Sequence, residues 1–372
     1  MKILTVIGTR PEIIKLSAVI KELDLNSEHY IAHTGQNYDY ELNQVFFKDL
    51  GVRKPDFFLN SVKGTPSELI GDVISKTDKL LKKIKPEAFL IYGDTNSCLS
   101  VIAAKKNKIP IFHMEAGNRC FDQRVPEEVN RKIVDHISDI NLTVSSHAKD
   151  YLINEGIPAD RIIKIGSPML EVIKKNQKKI NSSKVLKKFN LKQNKFFLVS
   201  IHREENVENQ KNFKNLLETV EFVHSKYKLP IIISTHPRTK KKLEEIKYHS
   251  KNKSIIFSNP FGFLDYNKLQ INAFCIISDS GTITEESSIF NKPSVMIRHA
   301  HERPEGMEEG VLIMSGLEKK NVAKSIDIVT SQHSKKRSFK LVKDYDVDNV
   351  SKKVARIIFS YTDFVNRVVW QK

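Results

Sequence analysis

Short apolar runs separated by longer amphipathic segments set the rhythm of this chain. In its first half, "KILTVIG", "HYIAHTG", "AFLIYGD", "IPIFHMEAG", "INLTVSS" and "RIIKIGS" read as strands. Between them, "EIIKLSAVIKELD", "ELIGDVISKTDKLLKKI" and "EEVNRKIVDHISD" repeat apolar residues at helical spacing. Apolar strands alternating with helices build parallel sheets covered on both faces. A lysine-rich stretch at 174–195 interrupts the rhythm, which then restarts with "KFFLVSIHR", "PIIISTHP", "SIIFSNP", "FCIISDSG" and "PSVMIRH". The pattern predicts an α/β protein of two doubly wound, Rossmann-like domains, residues 1–170 and 171–345. The last segment, within 346–372, reads as a long helix packing back on the first domain.

Polar residues fall at one recurring place. "GTR", "GD", "EAG", "HREEN", "HP", "DSGT" and "RH" each follow the apolar end of a predicted strand. In open parallel sheets, ligands bind outside the carboxyl ends of the strands. Two sheets facing each other would line one central cleft with all these loops.

Composition narrows the class. With 372 residues, 40% hydrophobic and 28% charged, the chain is long enough for two cores. No apolar run approaches bilayer length, and the N-terminal "MKILTVI" is shorter than a signal-peptide core, so the sequence reads as cytoplasmic with no membrane partner. Cys98, Cys120 and Cys275 are far apart and suit neither a disulfide framework nor a zinc site. The net charge of +17 raises a nucleic-acid reading. Its lysine-rich stretches lack interleaved aromatics, so they read as solvated faces with no nucleic-acid partner. Lysines outnumber arginines 48 to 13, which makes arginine placement the more informative signal.

Candidate chemistry sits in the strand-end loops. In "GTRPE", Pro11 opens a helix and Arg10 lies at its N-terminus, where free amides favour an anion. A plain turn with a surface arginine explains that motif alone equally well. "SDSGTITEE" follows a strand and opens a helix, so Ser280, Gly281 and Thr282 make an anion cradle. Glu285 and Glu286 would lie about one turn inside, as caps or as acceptors for ribose hydroxyls. Asp94, Glu115 and Glu127 bring carboxylates to the same rim, though Asp94 and Glu127 also suit capping. Glu115, directly after "IPIFHM", is harder to explain as a cap. Clustered carboxylates supply acids and bases usable near neutral pH. His202 and Arg203 end the second half's first strand, His236 is a weaker counterpart, and no histidine spacing supports a metal.

Together "GTRPE", "HTGQNYD", "GDTNS", "HMEAGNR", "PEEVNR", "HREEN", "HPR", "SDSGTITEE" and "ERPEG" resemble the non-hydrolysing UDP-N-acetylglucosamine 2-epimerases, in order from residue 1 to about 325. The resemblance implies the two-domain arrangement of the B-type glycosyltransferases, a homodimer, a UDP-sugar substrate and no cofactor. It also implies elimination of UDP to a glycal, then re-addition with the carbon-2 proton delivered to the opposite face. By that resemblance Asp94, Glu115 and Glu127 are the proton-transfer acids and His202 lies near the leaving diphosphate. Arg10, Ser280, Gly281 and Glu286 are UDP-binding positions; Thr282, Arg119, Arg203 and His236 are further candidates beside them. The loop "NRCFDQRV" is two residues shorter than in the better-known branch and lacks its TGD element. Asn37 replaces a histidine, and "SGT" replaces "SGG". "HMEAGNRCFDQRVPEE" looks most like the branch that makes UDP-N-acetyl-L-fucosamine from UDP-2-acetamido-2,6-dideoxy-L-talose for capsule or O-antigen. UDP-N-acetylglucosamine is the alternative substrate, and a B-type glycosyltransferase the remoter one.

Overall fold

The computed structural model describes the chain except residues 36–43, 62–63, 249, 251 and 335, so Asn37 and most of "GQNYD" lie outside the described residues. Two compact units result: Met1–Lys175 together with Lys343–Lys372, and Asn176–Val342. The division falls inside one helix, Met169–Ser182, where the lysine-rich stretch begins.

Seven parallel strands form the first sheet: β1 (Lys2–Ile7), β2 (Glu28–His33), β3 (Phe57–Phe58), β4 (Ala88–Tyr92), β5 (Ile111–Ala116), β6 (Ile140–Thr143) and β7 (Ile162–Lys164). Their spatial order is β3-β2-β1-β4-β5-β6-β7. The second sheet has β8 (Phe197–Ile201), β9 (Ile231–Thr235), β10 (Ile255–Ser258), β11 (Cys275–Ser278), β12 (Ser294–Met296) and β13 (Ile313–Met314). Its order, β10-β9-β8-β11-β12-β13, is built the same way. In each sheet the winding reverses beside the first strand, between β1 and β4 and between β8 and β11. That reversal leaves a crevice at the strands' carboxyl ends, where ligands of such folds bind.

The strands are apolar throughout because both faces are covered. In the second sheet Phe197, Val199, Ile201, Ile231, Ile233, Cys275, Ile277 and Val295 enter one buried cluster. Their neighbours Leu198, Ile232, Ile276 and Met296 enter another on the opposite face. Alternation with period two thus serves two cores, the signature of a doubly wound sheet. In the first unit Leu4, Val6, Phe89 and Ile91 meet the helix residues Leu80, Leu81 and Ile84 in one cluster. The helix Val350–Val368 packs on the helix Arg10–Asn26, and Ser351 gives its backbone N–H (2.8 Å) and hydroxyl (2.5 Å) to buried Glu171. β3 and β13, absent from the pattern reading, are two-residue strands at sheet edges, too short to show a period.

Candidate active site

Residues after β1 and β4 meet at the first sheet's reversal point. β1 ends at Ile7, and Gly8 is required there by close approach: a Cβ would lie 1.9 Å from Ser97 Oγ and 2.3 Å from Thr34 Oγ1. Those two hydroxyls share a 2.9 Å hydrogen bond that crosses this space. Pro11 opens the helix, and Glu12 turns back to accept the N–H groups of Gly8 (2.5 Å) and Thr9 (3.2 Å). Its other oxygen accepts from Thr95 Oγ1 at 2.5 Å, tying the "GTRPE" turn to the "GDTNS" turn. Glu12 is buried, and burial outweighs these hydrogen bonds, pushing its pKa up to about 7. The Arg10 guanidinium lies 5.8 Å from the ring centre of buried Phe46.

Asp94 and Glu115, at the ends of adjacent strands β4 and β5, are held in different ways. One oxygen of Asp94 accepts both Nε (2.9 Å) and Nη2 (2.6 Å) of Arg131. Arg131 also pairs with buried Glu128 at 2.9 Å. Glu128 in turn accepts the N–H groups of Cys120 and Phe121, both at 3.1 Å, and so anchors the "NRCFDQRV" loop. Glu115 has φ +64°, beside a register shift between Met114 and Ala116, and accepts from Tyr92 OH. A non-glycine residue in the left-handed region is strained and needs its surroundings to hold it.

Those surroundings centre on Asp135, which is fully buried. It accepts from Gly117 N (3.2 Å) and Arg119 Nη1 (2.7 Å), and His113 Nδ1 lies 2.9 Å away. His113 Nε2 reaches Gly93 O at 2.7 Å, so one carboxylate braces both glycine turns flanking Glu115. Arg119, read from the sequence as a possible substrate ligand, is 2% exposed. It donates to Asp135, to Asn118 O and twice to Glu155, leaving one of five N–H groups uncommitted. Its geometry is that of a buried brace. Glu127, in the first turn of the helix Pro126–Ile137, is half-buried and makes no hydrogen bond or ion pair with a described residue.

In the second unit the hub is Asp279, just after β11. Fully buried, it accepts the backbone N–H groups of His202 (3.1 Å) and Arg203 (3.0 Å) and the Asn206 amide (3.1 Å). His202 Nδ1 lies 3.1 Å from Asp279 Oδ1. Burial alone would raise the Asp279 pKa; the His202 charge and the surrounding donors outweigh it and hold it at about 2. The His236 ring lies 6.2 Å from that of His202 and accepts from Arg238 N at its own helix start.

Ser280, Gly281 and Thr282 follow directly and open the helix Ile283–Phe290. Ser280 and Thr282 share a hydroxyl contact of 3.0 Å. A Cβ on Gly281 would stand 2.3 Å from Glu302 Oε1, so any larger residue would have to displace that carboxylate. Glu302 is gripped by Arg203 (3.4 Å) and Arg298 (3.0 Å). Of the two helix glutamates, Glu285 pairs with Arg303 at 2.9 Å and Glu286 accepts from Gln270 at 2.5 Å. Asp279, Glu302, Asp135 and Glu128 were not singled out from the sequence. Asp135 was visible as an acid among apolar positions of the amphipathic "EEVNRKIVDHISD", and Asp279 and Glu302 within "SDSGT" and "ERPEG".

Each unit is a parallel α/β sheet with polar residues at its strand ends, the place where enzymes of this fold class bind their ligands. The first unit places acids there, and the second a Ser-Gly-Thr turn that opens a helix. The family model for UDP-N-acetylglucosamine 2-epimerase matches residues 21–359. The chain belongs to that family, whose members are isomerases. A solved UDP-N-acetylglucosamine 2-epimerase from Rickettsia bellii is 53% identical, each chain covering 100% of the other, with a TM-score of 0.93. The Methanocaldococcus jannaschii UDP-GlcNAc 2-epimerase, solved in complex with UDP-GlcNAc and UDP, is 36% identical over 97% of this chain and 100% of its own, with a TM-score of 0.91. A Pseudomonas aeruginosa relative, UDP-2,3-diacetamido-2,3-dideoxy-D-glucuronate 2-epimerase, is 33% identical over 87% of this chain and 91% of its own.

Proposed function

We propose that this UDP-sugar 2-epimerase inverts carbon 2 of UDP-2-acetamido-2,6-dideoxy-L-talose, giving UDP-N-acetyl-L-fucosamine for capsule or O-antigen. The reaction class rests on family membership. The observation that carries the substrate reading is the short "NRCFDQRV" loop, anchored by Glu128 through the N–H groups of Cys120 and Phe121, next to Asp94 and Glu115. A second reading, UDP-N-acetylglucosamine to UDP-N-acetylmannosamine, is favoured by the names of the Rickettsia bellii and Methanocaldococcus jannaschii proteins. The Pseudomonas aeruginosa relative acts on a differently substituted sugar, so substrates vary within the family at this level of identity.

In the proposed reaction a carboxylate takes the carbon-2 proton while the bond from carbon 1 to the diphosphate oxygen breaks. The products are a 2-acetamidoglycal and UDP. UDP then adds back to carbon 1, and a second acid returns a proton to the opposite face of carbon 2. Asp94, Glu115 and Glu127 are the proposed proton carriers. Glu115 is set rigidly by its backbone and Tyr92, and Asp94 by Arg131. Arg10, Ser280, Gly281 and Thr282 are proposed to hold the diphosphate and Glu286 the ribose. His202, oriented through Nδ1 by Asp279, would present Nε2 to the leaving oxygen.

The test is proton NMR of each UDP-sugar with the pure protein in deuterated water. Deuterium entering carbon 2 of the L-talose or L-fucosamine compound, and not of UDP-N-acetylglucosamine, is the expected result. Exchange confined to UDP-N-acetylglucosamine selects the second reading. Turnover only with an added acceptor, and no exchange, would mean a glycosyltransferase.

A further inference from the structure

At the far end of the helix Ile283–Phe290 from the Ser280–Thr282 turn, the second unit contains a separate cavity of about 60 Å³. That exceeds the ~10–15 Å³ one water needs and falls well short of the ~300 Å³ where pockets for larger organic ligands begin. Its basic lining residues are Lys292 and the exposed His333, Arg337 and Lys340, with no carboxylate among the described residues that line it. None of these four forms an ion pair with a described residue.

Helix capping accounts for part of this arrangement. Arg337 gives Nη1 to Ser288 O (2.6 Å) and Nη2 to Ile289 O (2.7 Å), satisfying carbonyls of the helix's last turn. Those two bonds leave three of the guanidinium's five N–H groups. Lys292 Nζ donates to Asn194 Oδ1 (2.9 Å) and Ala273 O (3.2 Å), which leaves one N–H. Capping does not explain Ser287. It lines the same cavity, is 2% exposed, and its hydroxyl has no partner among the described residues. A buried hydroxyl without a hydrogen bond is costly, and such groups in native proteins usually await a ligand, ion or water.

We propose that this pocket binds a small tetrahedral oxyanion, as free phosphate or as the phosphate end of a small monoester, through Lys292, Arg337, Lys340 and the Ser287 hydroxyl. The ion supplies the missing negative charge and the missing acceptor together. Burial lowers the Lys292 pKa, and burial together with Lys292 lowers that of His333. The site is independent of the sugar-nucleotide reading, because no residue of that reading lines it.

Calorimetric titration of the full chain with inorganic phosphate, and separately with glycerol phosphate, tests the site. Binding of phosphate, alone or with the ester, is expected. Lys292→Met or Ser287→Ala should weaken it about tenfold, the loss of one charge-assisted or buried hydrogen bond. Ser280→Ala should leave it unchanged. Ser287→Ala removes an unsatisfied group, so its ligand-free melting temperature should match or exceed the parent's, which separates lost binding from lost folding. No binding of either anion, equal binding by all variants (an adventitious ion only), or weakening confined to Ser280→Ala would each overturn the proposal.

Discussion

Replacing Glu12 by glutamine tests whether the turn after β1 is governed by burial. The Glu12 pKa stands at about 7 against 4.5 for an exposed glutamate. Below pH 4.5 the group is protonated folded and unfolded, and contributes nothing to pH dependence. Between 4.5 and 7 the unfolded chain releases the proton and the folded chain keeps it. Stability therefore falls as pH rises, by about 1.4 kcal/mol per pH unit. Above 7 the loss levels off at about 3 kcal/mol, from a shift of roughly 2.5 pH units. Glutamine mimics the protonated form: its carbonyl can accept from Gly8 N and Thr9 N, and its amide can donate to Thr95 Oγ1. The measurement is the melting temperature of parent and variant from pH 5 to pH 8, by circular dichroism. For a unit of this size, about 3 kcal/mol corresponds to roughly 6–12 °C. The variant should gain that margin over the parent as pH rises from 5 to 8. Parallel curves would refute the reasoning: the three donors would then outweigh burial, and Glu12 would be ionised throughout.

Four further outcomes are expected. Glu115→Gln should abolish deuterium exchange at carbon 2 while calorimetry shows UDP affinity within about threefold of the parent, since neutral glutamine cannot take the proton; normal turnover would remove Glu115 from the mechanism. Asp135→Asn leaves the buried Arg119 charge with Glu155 alone and should cost about 3–5 kcal/mol in urea unfolding. Asp279, held at about 2, lends about 2 kcal/mol that is complete above pH ~4 and lost as pH falls through 2, so Asp279→Asn should flatten the acid limb of the stability profile. Gly8→Ala must separate Ser97 from Thr34 and should destabilise by about 1–3 kcal/mol, measured by the same unfolding.

The sheets were legible because alternating apolar runs are long and both faces are buried; Phe57–Phe58 and Ile313–Met314 were not, because two residues carry no period. Strand-end loops were equally legible, since Gly8, Gly93 and Gly281 stand where strands stop. What the pattern hid was which acid supports which. Glu127 and Glu128 are adjacent and chemically alike, yet Glu128 turns inward to Arg131 and the loop amides while Glu127 does not. Arg119 belongs to the same motif as Glu115, and only its three-dimensional partners show that it points inward. The left-handed backbone of Glu115 is likewise invisible in a string, because glutamate gives no hint of positive φ.

The unit that begins at Met1 is closed by Lys343–Lys372, with all of Asn176–Val342 intervening. On the ribosome, the helix Arg10–Asn26 therefore stays without its partner Val350–Val368 until everything between them has been made. A nonsense codon between Val342 and the helix Val350–Val368 would release a protein whose later-made body is whole and whose earlier-made body has an open apolar flank.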